Sequence, residues 1–477
     1  MTPVEVFRGR KVALFGLGGS GLSTLRALRA GGAEVAAWDD DDKARARAAA
    51  AGFAPVDLAA ADWRGFAALV LAPGVPLTHP EPHWTVERAQ AAGVEIVGDV
   101  ELFVRERARR APRAPLVAIT GTNGKSTTTA LIAHILGEAS RNVAMGGNIG
   151  VPILDLPPPD DARVHVVECS SFQIDLAPSL APSVGALINV TPDHIDRHGT
   201  LENYAAIKER LVARAATALI GVDDAPCRAI AERLRASEAK SGSPRVVAIS
   251  AAPSRSADVW IDDRYIVARE GSQKLVDLRL APALRGAHNG QNAAFAFAAA
   301  RALGLSAAEI GSGMASFPGL AHRMETVGRL GRVLFVNDSK ATNADAAEKA
   351  LLSFRDIYWI LGGKAKEGGV EPLRPLFPRV AKAYLIGAAS EDFARTLGAE
   401  VAFERCGALE NALSSAARDA ARSAAAEPVV LLSPACASYD QFANFEARGD
   451  RFRDLVAALI AASREAGRAP GLERSRS

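Results

Sequence analysis

The segment from residue 116 to residue 136, LVAITGTNGKSTTTALIAHIL, constrains the fold of this chain more than any other. An apolar, β-rich run leads into a glycine-rich turn, and a helix follows whose leucines and isoleucines share one face. Backbone amides in such a turn, together with the positive end of the helix dipole, favour phosphate oxygens. The segment therefore predicts a phosphate-binding loop between a buried strand and a helix.

Two side chains in this turn suit triphosphate chemistry. Lys125 can reach the outer phosphates, and Ser126 can ligate Mg²⁺. The strict GxxxxGK(S/T) spacing is not met, because its first glycine would fall at Ile119. A glycine turn with a solvated lysine therefore stays open, although the flanking strand and helix favour the phosphate loop.

Short apolar runs alternate with alanine-rich stretches along the chain, a pattern typical of α/β units around mainly parallel sheets. Strand candidates form three series: residues 12–15, 34–38, 68–71 and 94–97; residues 116–120, 164–168, 184–190 and 216–222; and residues 332–337, 357–361, 383–386 and 429–432. Between residues 244 and 286, short strands without helices predict a small antiparallel appendage.

These series predict three successive α/β domains, and 477 residues at about 150 per domain agree with that number. The first, residues 1–112, is expected to be Rossmann-like and to end in the charged, proline-containing linker 105–115. The second, residues 113–320, is a P-loop ATPase-type domain with the appendage. The third, residues 321–477, is again Rossmann-like.

Composition excludes several classes of protein. The 56 basic and 54 acidic side chains leave a net charge of +2, so no general field for nucleic acid or anionic membrane is expected. The four cysteines are scattered, which favours neither a disulfide framework nor a zinc site. The sequence shows no signal peptide, no membrane-spanning run and no long apolar stripe. We expect a cytoplasmic monomer.

A second glycine turn, GLGGSG at residues 16–21, follows the first predicted strand, and Asp39 ends the next one. Such a turn binds a pyrophosphate at a helix N-terminus, and an acidic residue after the second strand can bind a ribose. A dinucleotide cofactor and a nucleotide-bearing substrate explain the pattern equally well. Glycines needed only for close packing are the third interpretation.

Polar side chains follow two strands of the second series. Glu168 ends one strand and His194 follows another, at positions where open parallel sheets bind ligands. Together they can hold Mg²⁺ directly or through water. The neighbouring Asp193, Asp196 and His198 are expected to cap turns or to lie at the surface, and the charges around Lys208 favour a solvent-facing lysine.

Five further clusters carry polar residues: HNGQN (288–292), AHRME (321–325), VNDSKATN (336–343), LGGKAKEGG (361–369) and LLSPACASYDQFANFEARGDRF (431–452). Three of them follow predicted strands of the third series. A cationic, hydroxyl-rich set at the ends of neighbouring strands suits a small anionic substrate.

Taken together, these motifs resemble the Mur ligases, ATP-dependent amino-acid ligases of peptidoglycan synthesis whose phosphate loop reads GTNGK followed by Ser or Thr. The resemblance covers nearly the whole chain and rests on GTNGKS, GGNIG, ECSSFQ, NVTPDHIDRH, NDSKATN and the SPACAS stretch. Its implied reaction adds D-glutamate to UDP-N-acetylmuramoyl-L-alanine through an acyl phosphate and a tetrahedral intermediate, with release of ADP and phosphate.

The resemblance also implies roles for residues around ATP. The phosphate loop and four residues outside it match ATP contacts: Gly121, Thr122, Asn123, Gly124, Lys125, Ser126, Thr127, Asn289, Asn292, Arg323 and Asp338. Two Mg²⁺ ions are implied, with Ser126, Glu168 and His194 as ligands. Lys208 matches a carbamylated lysine that also serves the metal, contrary to the solvent-facing interpretation. The catalytic set is Lys125, His194 and Lys208.

Substrate contacts are implied in the first and third domains. Those for the UDP-substrate are Gly19, Ser20, Asp39, Gly74 and Asn148, and those for D-glutamate are Thr342, Lys366, Ser438 and Phe445. The sequence departs from some relatives at Lys364, where they carry an acid, so the contacts of the 361–369 loop stay open.

Three alternatives remain. Another Mur ligase or a folate-glutamate ligase would share the phosphate loop. A nicotinamide-dependent dehydrogenase would explain GLGGSG and Asp39 but would leave GTNGKS without a role. A nucleotide-gated switch or transport ATPase would release phosphate without requiring an amino acid.

Overall fold

The computed structural model describes residues 1–239, 242–269, 273–365 and 368–466. The chain forms two compact units. Unit 1 comprises residues 1–281 and 288–317, and unit 2 comprises residues 282–287 and the described chain from residue 318 onward.

Unit 1 begins with a four-stranded parallel sheet. Its strands and helices are β1 (Lys11–Phe15), α1 (Gly19–Ala30), β2 (Glu34–Trp38), α2 (Asp42–Ala50), β3 (Ala68–Leu71), α3 (Trp84–Ala91), β4 (Glu95–Val97) and α4 (Asp99–Arg110). The strand order is β2-β1-β3-β4. All of β3 and most of β1 are buried, as expected for parallel strands with both faces covered.

A nine-stranded sheet follows in the same unit. Its strands are β5 (Leu116–Thr120), β6 (Asn142–Gly147), β7 (Arg163–Glu168), β8 (Val184–Leu187), β9 (Thr217–Gly221), β10 (Arg245–Ser250), β11 (Val259–Asp262), β12 (Tyr265–Ala268) and β13 (Gln273–Asp277). The order is β13-β12-β11-β10-β9-β8-β5-β7-β6. Strands β5 to β11 pair in parallel, whereas β12 is antiparallel to both β11 and β13.

The helices of this part are α5 (Lys125–Glu138), α6 (Ser171–Asp175), α7 (Ile195–His198), α8 (Leu201–Ala213), α9 (Ala225–Ser237), α10 (Ala287–Ala302) and α11 (Ala307–Ser316). One hydrophobic core runs from the first sheet into the second, from Val4 to Ala257. This continuous core explains why both sheets belong to one compact unit.

Unit 2 contains a six-stranded sheet. Its elements are β14 (Glu325–Leu330), β15 (Val333–Asn337), α12 (Ala344–Ser353), β16 (Ile357–Gly362), β17 (Val380–Ile386), α13 (Ser390–Leu397), β18 (Phe403–Gly407), α14 (Leu409–Ala421), β19 (Val429–Leu432) and α15 (Phe445–Ala466). The order is β14-β15-β19-β16-β17-β18, with only β14 antiparallel to its neighbour among the pairings described. Alternate residues of β15 belong to separate cores on the two faces.

The predicted α/β class with mainly parallel sheets is confirmed, and every predicted strand has a counterpart within a few residues. The predicted appendage is antiparallel only in part: β12 is antiparallel to β11 and β13, whereas β10 is parallel to β9 and β11. All four strands extend the nine-stranded sheet. The linker prediction is partly wrong, because residues 105–110 form the last turns of α4. There the buried Glu106 carboxylate accepts hydrogen bonds from the backbone amides of Glu5 and Val6. The three-domain boundaries stay a prediction.

Within the described ranges, no helix is both long enough and apolar enough to cross a membrane.

Candidate functional site

A glycine loop, residues 121–124, leaves the carboxyl end of β5 and leads into α5. Gly121 and Gly124 have φ angles of +154° and +83°, which disfavour any side chain. A Cβ atom on Gly124 would lie 2.4 Å from Oδ1 of Asn292, so this turn requires glycine. Helix α5 starts at Lys125, and its N-cap residue is Gly124 in the left-handed conformation, which makes no side-chain cap hydrogen bond. The loop thus has the geometry of an anion site at a helix N-terminus.

Lys125 lies at this loop. Its Nζ donates to the carbonyl oxygens of Gly121 at 2.9 Å and Thr122 at 2.8 Å. Asn189, which follows β8, holds the other side of the loop: its backbone carbonyl accepts from Thr122 N, and its Oδ1 accepts from Asn123 N. The sequence analysis did not single out Asn189, because a lone asparagine in NVTPDH carries no signal of such a contact.

Two buried asparagines on α10 line the same loop. Oδ1 of Asn292 accepts from Thr128 Oγ1 at 3.2 Å, and its Nδ2 donates to Asn289 Oδ1 at 3.2 Å. Their burial beside Gly124 brings HNGQN to the glycine loop although more than 160 residues separate them. The role of Asn289 and Asn292 as ATP contacts stays a prediction.

Lys208 is buried beneath the glycine loop, with 1% of its surface exposed. Its Nζ donates to Thr120 Oγ1 at 3.2 Å and to the Gly121 carbonyl at 3.0 Å, and lies 4.5 Å from the centroid of the Tyr204 ring. Burial and, next, the positive charge of Lys125 lower the pKa of Lys208 to about 7. The solvent-facing interpretation is wrong, because α8 turns this residue inward with Tyr204 and Leu211.

Glu168 ends β7, the strand beside β5. It is 2% exposed, and its Oε1 accepts from Asn148 Nδ2 at 2.8 Å. Oε2 is buried and has no hydrogen-bond partner among the described residues. A buried carboxylate oxygen without a partner is costly unless a cation or a donor reaches it.

His194 lies at the surface of this edge, before the short helix α7. Its φ is +52°, and its backbone amide donates to Asp193 Oδ1 at 3.0 Å. Its Nε2 is 3.4 Å from Asp193 Oδ2, and its ring packs at 5.1 Å from Phe172. Asp193 is half-buried and, among the described residues, hydrogen-bonds only the backbone amide next to it, so a turn-capping role for it stays a prediction, whereas Asp196 is exposed as expected.

His198 does not lie at the surface, contrary to the prediction. It is 4% exposed, stacks on Phe172 at 5.1 Å and bonds through Nε2 to Ser171 Oγ at 2.9 Å. Burial lowers the pKa of His198. The imidazole therefore holds the segment that carries His194 against α6.

Magnesium fits this edge of the sheet. Mg²⁺ is usually held by one or two carboxylates, waters and substrate phosphates rather than by a full protein cage. Within the described ranges no three His, Cys, Asp or Glu side chains group as a metal site. The unpartnered Oε2 of Glu168, on the strand next to the glycine loop, is the carboxylate oxygen that such a partly hydrated ion needs.

The first sheet carries the second glycine turn. Gly16 has a φ of +98°, and a Cβ on Gly21 would lie 1.9 Å from the Gly16 carbonyl oxygen, so the turn requires glycine at both positions. Asp39 holds the turn: its Oδ2 accepts from Leu17 N at 2.6 Å and its Oδ1 from Asp41 N at 2.9 Å. Gly19 is exposed and is the first residue of α1. The N-cap residue before it makes no side-chain cap hydrogen bond.

Ser20 lies in the first turn of α1, and Gly74 lies after β3. The Gly74 carbonyl accepts from Arg197 Nη1 at 2.9 Å, and the Arg197 guanidinium lies 4.8 Å from the Phe172 ring centroid. One arginine thus ties the loop after β3 to the segment that carries His194.

Unit 2 carries the remaining predicted residues. Asp338 follows β15, where its Oδ2 accepts from Ser433 Oγ at 2.8 Å and its Oδ1 from Met324 N at 3.2 Å. Burial raises the pKa of Asp338 to about 7, against the hydrogen bonds and the charge of Arg323. Arg323 immediately precedes Met324, in the turn before β14.

The residues predicted for D-glutamate follow β15 and β19. Thr342 is half-buried before α12, Ser438 is 3% exposed, and Phe445 opens α15. The Phe445 ring lies 3.7 Å from Lys340 Nζ. Lys366 lies outside the described residues.

Two family descriptions match the chain: the Mur ligase middle domain over residues 119–300, and the Mur ligase glutamate ligase domain over residues 322–436. The chain is 59% identical over 464 residues to the UDP-N-acetylmuramoylalanine–D-glutamate ligase of Nitrobacter hamburgensis, covering 96% of this chain and 98% of that protein. It is 57% identical over 461 residues to the protein of the same name from Rhizobium meliloti, with coverage of 96% and 98%.

Solved structures show the same fold at low identity. UDP-N-acetylmuramate-alanine ligase MurC from Thermotoga maritima matches with a TM-score of 0.56 and 17% identity, covering 94% of this chain and 99% of that one. A UDP-N-acetylmuramoyl-L-alanyl-D-glutamate–2,6-diaminopimelate ligase matches with a TM-score of 0.57 and 20% identity, covering 84% and 94%.

Proposed function

The chain belongs to the Mur ligase family, and we propose that it joins D-glutamate to UDP-N-acetylmuramoyl-L-alanine at the expense of ATP. Relatives that bear this activity in their names cover nearly all of the chain at 57% to 59% identity. The reaction forms an amide bond in peptidoglycan synthesis and releases ADP and phosphate.

One observation in the structure supports the chemistry most directly. The glycine loop, two lysines on one carbonyl oxygen and a buried carboxylate with an unpartnered oxygen share one edge of the nine-stranded sheet. A dehydrogenase needs neither the paired lysines nor the buried carboxylate. A ligase that transfers a phosphoryl group to a carboxylate needs cations to hold the phosphates and a carboxylate to hold a metal.

The order of events follows from the reactivity of the substrate. A carboxylate is a poor electrophile, so phosphorylation by ATP first converts it into an acyl phosphate with a good leaving group. Both reacting groups are negatively charged, and Lys125 reduces their repulsion. The uncharged amine of D-glutamate then attacks, and the tetrahedral intermediate collapses with loss of phosphate.

We propose that two Mg²⁺ ions bind here, held by Ser126, Glu168, His194 and a carbamylated Lys208. When bound, Mg²⁺ acts as a Lewis acid and supplies several kcal/mol of charge stabilisation. The unpartnered Oε2 of Glu168 supports this ligand set.

Carbamylation of Lys208 is supported by the surroundings of its amine. The neutral Nζ attacks CO₂, one N–H proton is released, and an N-carboxylate replaces the ammonium. A pKa of about 7 makes the neutral amine abundant at physiological pH, whereas an ordinary lysine is almost fully protonated. The change would also turn two neighbouring cations, Lys125 and Lys208, into an ion pair.

ATP is proposed to lie along the glycine loop. Its contacts would be the backbone of residues 121–124, the side chains of Lys125, Ser126 and Thr127, and the buried pair Asn289 and Asn292. The resemblance further implies Arg323 and Asp338. The steric requirement for glycine at position 124 supports a closely approached backbone.

The UDP-substrate is proposed to bind at the first sheet and the neighbouring edge of the second, through Gly19, Ser20, Asp39, Gly74 and Asn148. The uncapped N-terminus of α1 suits a pyrophosphate. Asp39 already accepts two backbone hydrogen bonds, which supports a role in shaping this turn as well as in binding.

For D-glutamate we propose Thr342, Lys366, Ser438 and Phe445 in unit 2. Hydroxyl and ammonium donors at strand ends suit a dicarboxylate. We further propose that the enzyme is a monomer acting in the cytoplasm; its four free cysteines suit a reducing compartment.

The test is phosphate release from ATP with UDP-N-acetylmuramoyl-L-alanine, with and without D-glutamate, followed by mass analysis of the product. Strict dependence on D-glutamate and one new amide support the proposal. Phosphate release without any amino acid would indicate a nucleotide switch or transport ATPase. A panel of other amino acids and acceptors separates the reaction from those of other Mur and folate-glutamate ligases.

A further inference from the structure

Arg448, in the first turns of α15, is a buried cation without an acidic partner. It is 1% exposed, and none of the described Asp or Glu side chains forms an ion pair with it. Its guanidinium donates to neutral oxygens: Ser339 Oγ at 2.9 Å, Ser339 O at 2.8 Å and Cys436 O at 3.1 Å. Nη1 is buried and finds no acceptor among the described residues. Burial lowers the pKa of Arg448 to about 10, so it stays charged at neutral pH.

The groups around this guanidinium belong to three loops. Ser339 follows β15 and Cys436 follows β19. Gly363 follows β16, and a Cβ added there would lie 3.3 Å from Nη1 of Arg448. Because β15, β19 and β16 are adjacent and parallel, their carboxyl ends share one edge of the sheet. The guanidinium therefore bonds two of these loops and lies beside Gly363 in the third.

The same loops are also joined to each other. Lys364 N donates to Ala437 O at 2.9 Å, and Ala437 N donates to Lys364 O at 3.1 Å. Ser339 accepts from Arg448 through Oγ while donating the hydroxyl proton to the Phe445 carbonyl at 2.9 Å. Displacement of the guanidinium would thus be felt in each loop and at the start of α15.

A buried, unpaired charge is expensive for a protein to keep. Stability alone does not explain it here, because an apolar side chain of similar size would fill the space without that cost. In a region of low dielectric, however, such a charge creates a strong positive potential around it. The loops that feel this potential carry Thr342 and Ser438, two of the residues proposed for D-glutamate.

We propose that Arg448 is a positioning residue for D-glutamate: it fixes the three loops in their binding geometry and gives them a positive potential suited to a dicarboxylate. This inference rests on the proposed function. Arg448 acts through the loops and does not itself touch the substrate.

The test compares Arg448→Met and Arg448→Lys with Arg451→Met, a matched control on the exposed side of the same helix, where Arg451 pairs with Glu410. We measure kcat, the thermal midpoint and KM for each of the three substrates. We also measure positional isotope exchange in ATP with the UDP-substrate alone. For Arg448→Met we expect KM for D-glutamate to rise about tenfold or more. Three quantities should stay within about twofold of their wild-type values: KM for ATP, KM for the UDP-substrate and the rate of isotope exchange.

Arg448→Lys keeps the charge but cannot span the same acceptors, so its KM for D-glutamate should lie between those of wild type and Arg448→Met. Equal changes in all three KM values, or an unchanged KM for D-glutamate in a folded variant, would overturn the inference. If neither Arg448 variant folds, Ser339→Ala decides: a selective rise in KM for D-glutamate supports the inference, and an unchanged value contradicts it. Wild-type protein that forms no amide would instead refute the proposed function.

Discussion

Lys125 and Lys208 donate hydrogen bonds to the same carbonyl oxygen, that of Gly121, at 2.9 Å and 3.0 Å. Two ammonium groups on one acceptor repel each other, and this repulsion adds to the effect of burial on the pKa of Lys208. The arrangement favours whatever adds negative charge, either phosphates beside Lys125 or a carboxylate on Lys208. Both changes belong to the proposed reaction.

Lys125→Ala should abolish acyl phosphate formation and leave binding of the UDP-substrate largely intact. Removal of the cation leaves the repulsion between ATP and the carboxylate unscreened, and the loss of rate should be about 100-fold or more. Phosphate release measures the first effect, and calorimetric titration with the UDP-substrate measures its binding. Lys43→Ala, on the exposed helix α2, is the control. A fully active Lys125→Ala protein would remove the phosphate-loop assignment.

Lys208→Ala should be inactive, because neither an amine nor its carbamate remains at this position. High bicarbonate should not restore activity, since the variant has no amine to carbamylate. A short carboxylic acid such as acetate should restore part of it by supplying a carboxylate in the space left behind. We test this by measuring initial rates with and without acetate. Lys208→Arg is the control, because its bulky side chain leaves no space for acetate. Normal activity without additives would show that the lysine is dispensable.

Glu168→Gln should weaken metal binding. The amide keeps a hydrogen bond to Asn148 but lacks the negative charge, so half-activation should need about tenfold more Mg²⁺. Rates across a Mg²⁺ titration at saturating ATP measure the shift, with Glu202→Gln on the exposed side of α8 as the control. Superimposable titrations would exclude Glu168 as a ligand.

Asp338→Asn should stabilise the protein at pH 8 and not at pH 4. The folded pKa of Asp338 is about 7, above the ordinary 3.8, so the group contributes stability below pH 4 that is lost as pH rises through 7. Asparagine keeps both hydrogen bonds without a charge, and the gain at pH 8 should be about 1–3 kcal/mol. We test this by measuring the thermal midpoints of wild type and Asp338→Asn from pH 4 to pH 8, with Asp345→Asn as the control. A difference independent of pH would contradict it.

The sequence predicted the central strands well and missed three at the edges of their sheets. Strand β6 is one edge of the nine-stranded sheet, and β14 and β18 are the two edges of the six-stranded sheet. Edge strands are half-exposed, so their sequences NVAMGG, ETVGRL and FERCG lack a continuous apolar run. They form strands because a buried neighbour offers hydrogen bonds.

The candidate site was likewise predictable only in part. The glycine loop was predictable, because Gly121, Gly124 and Lys125 form one contiguous motif. Burial of Lys208 and His198 was not predictable from residue type, since it depends on which face of a helix meets the sheet. For Arg448 the sequence offered only one of two arginines in the stretch 431–452. That it forms no ion pair with a described acid is a property of the tertiary structure.

The central claim is that this protein uses ATP to make a carboxylate reactive toward the nitrogen of D-glutamate. Its most direct test incubates purified protein with ATP, Mg²⁺, UDP-N-acetylmuramoyl-L-alanine and ¹⁵N-labelled D-glutamate, and measures the product by mass spectrometry and ¹⁵N NMR. We predict one amide bearing the label and one phosphate released for each amide. Phosphate release without a labelled amide, or no reaction at all, would contradict the account.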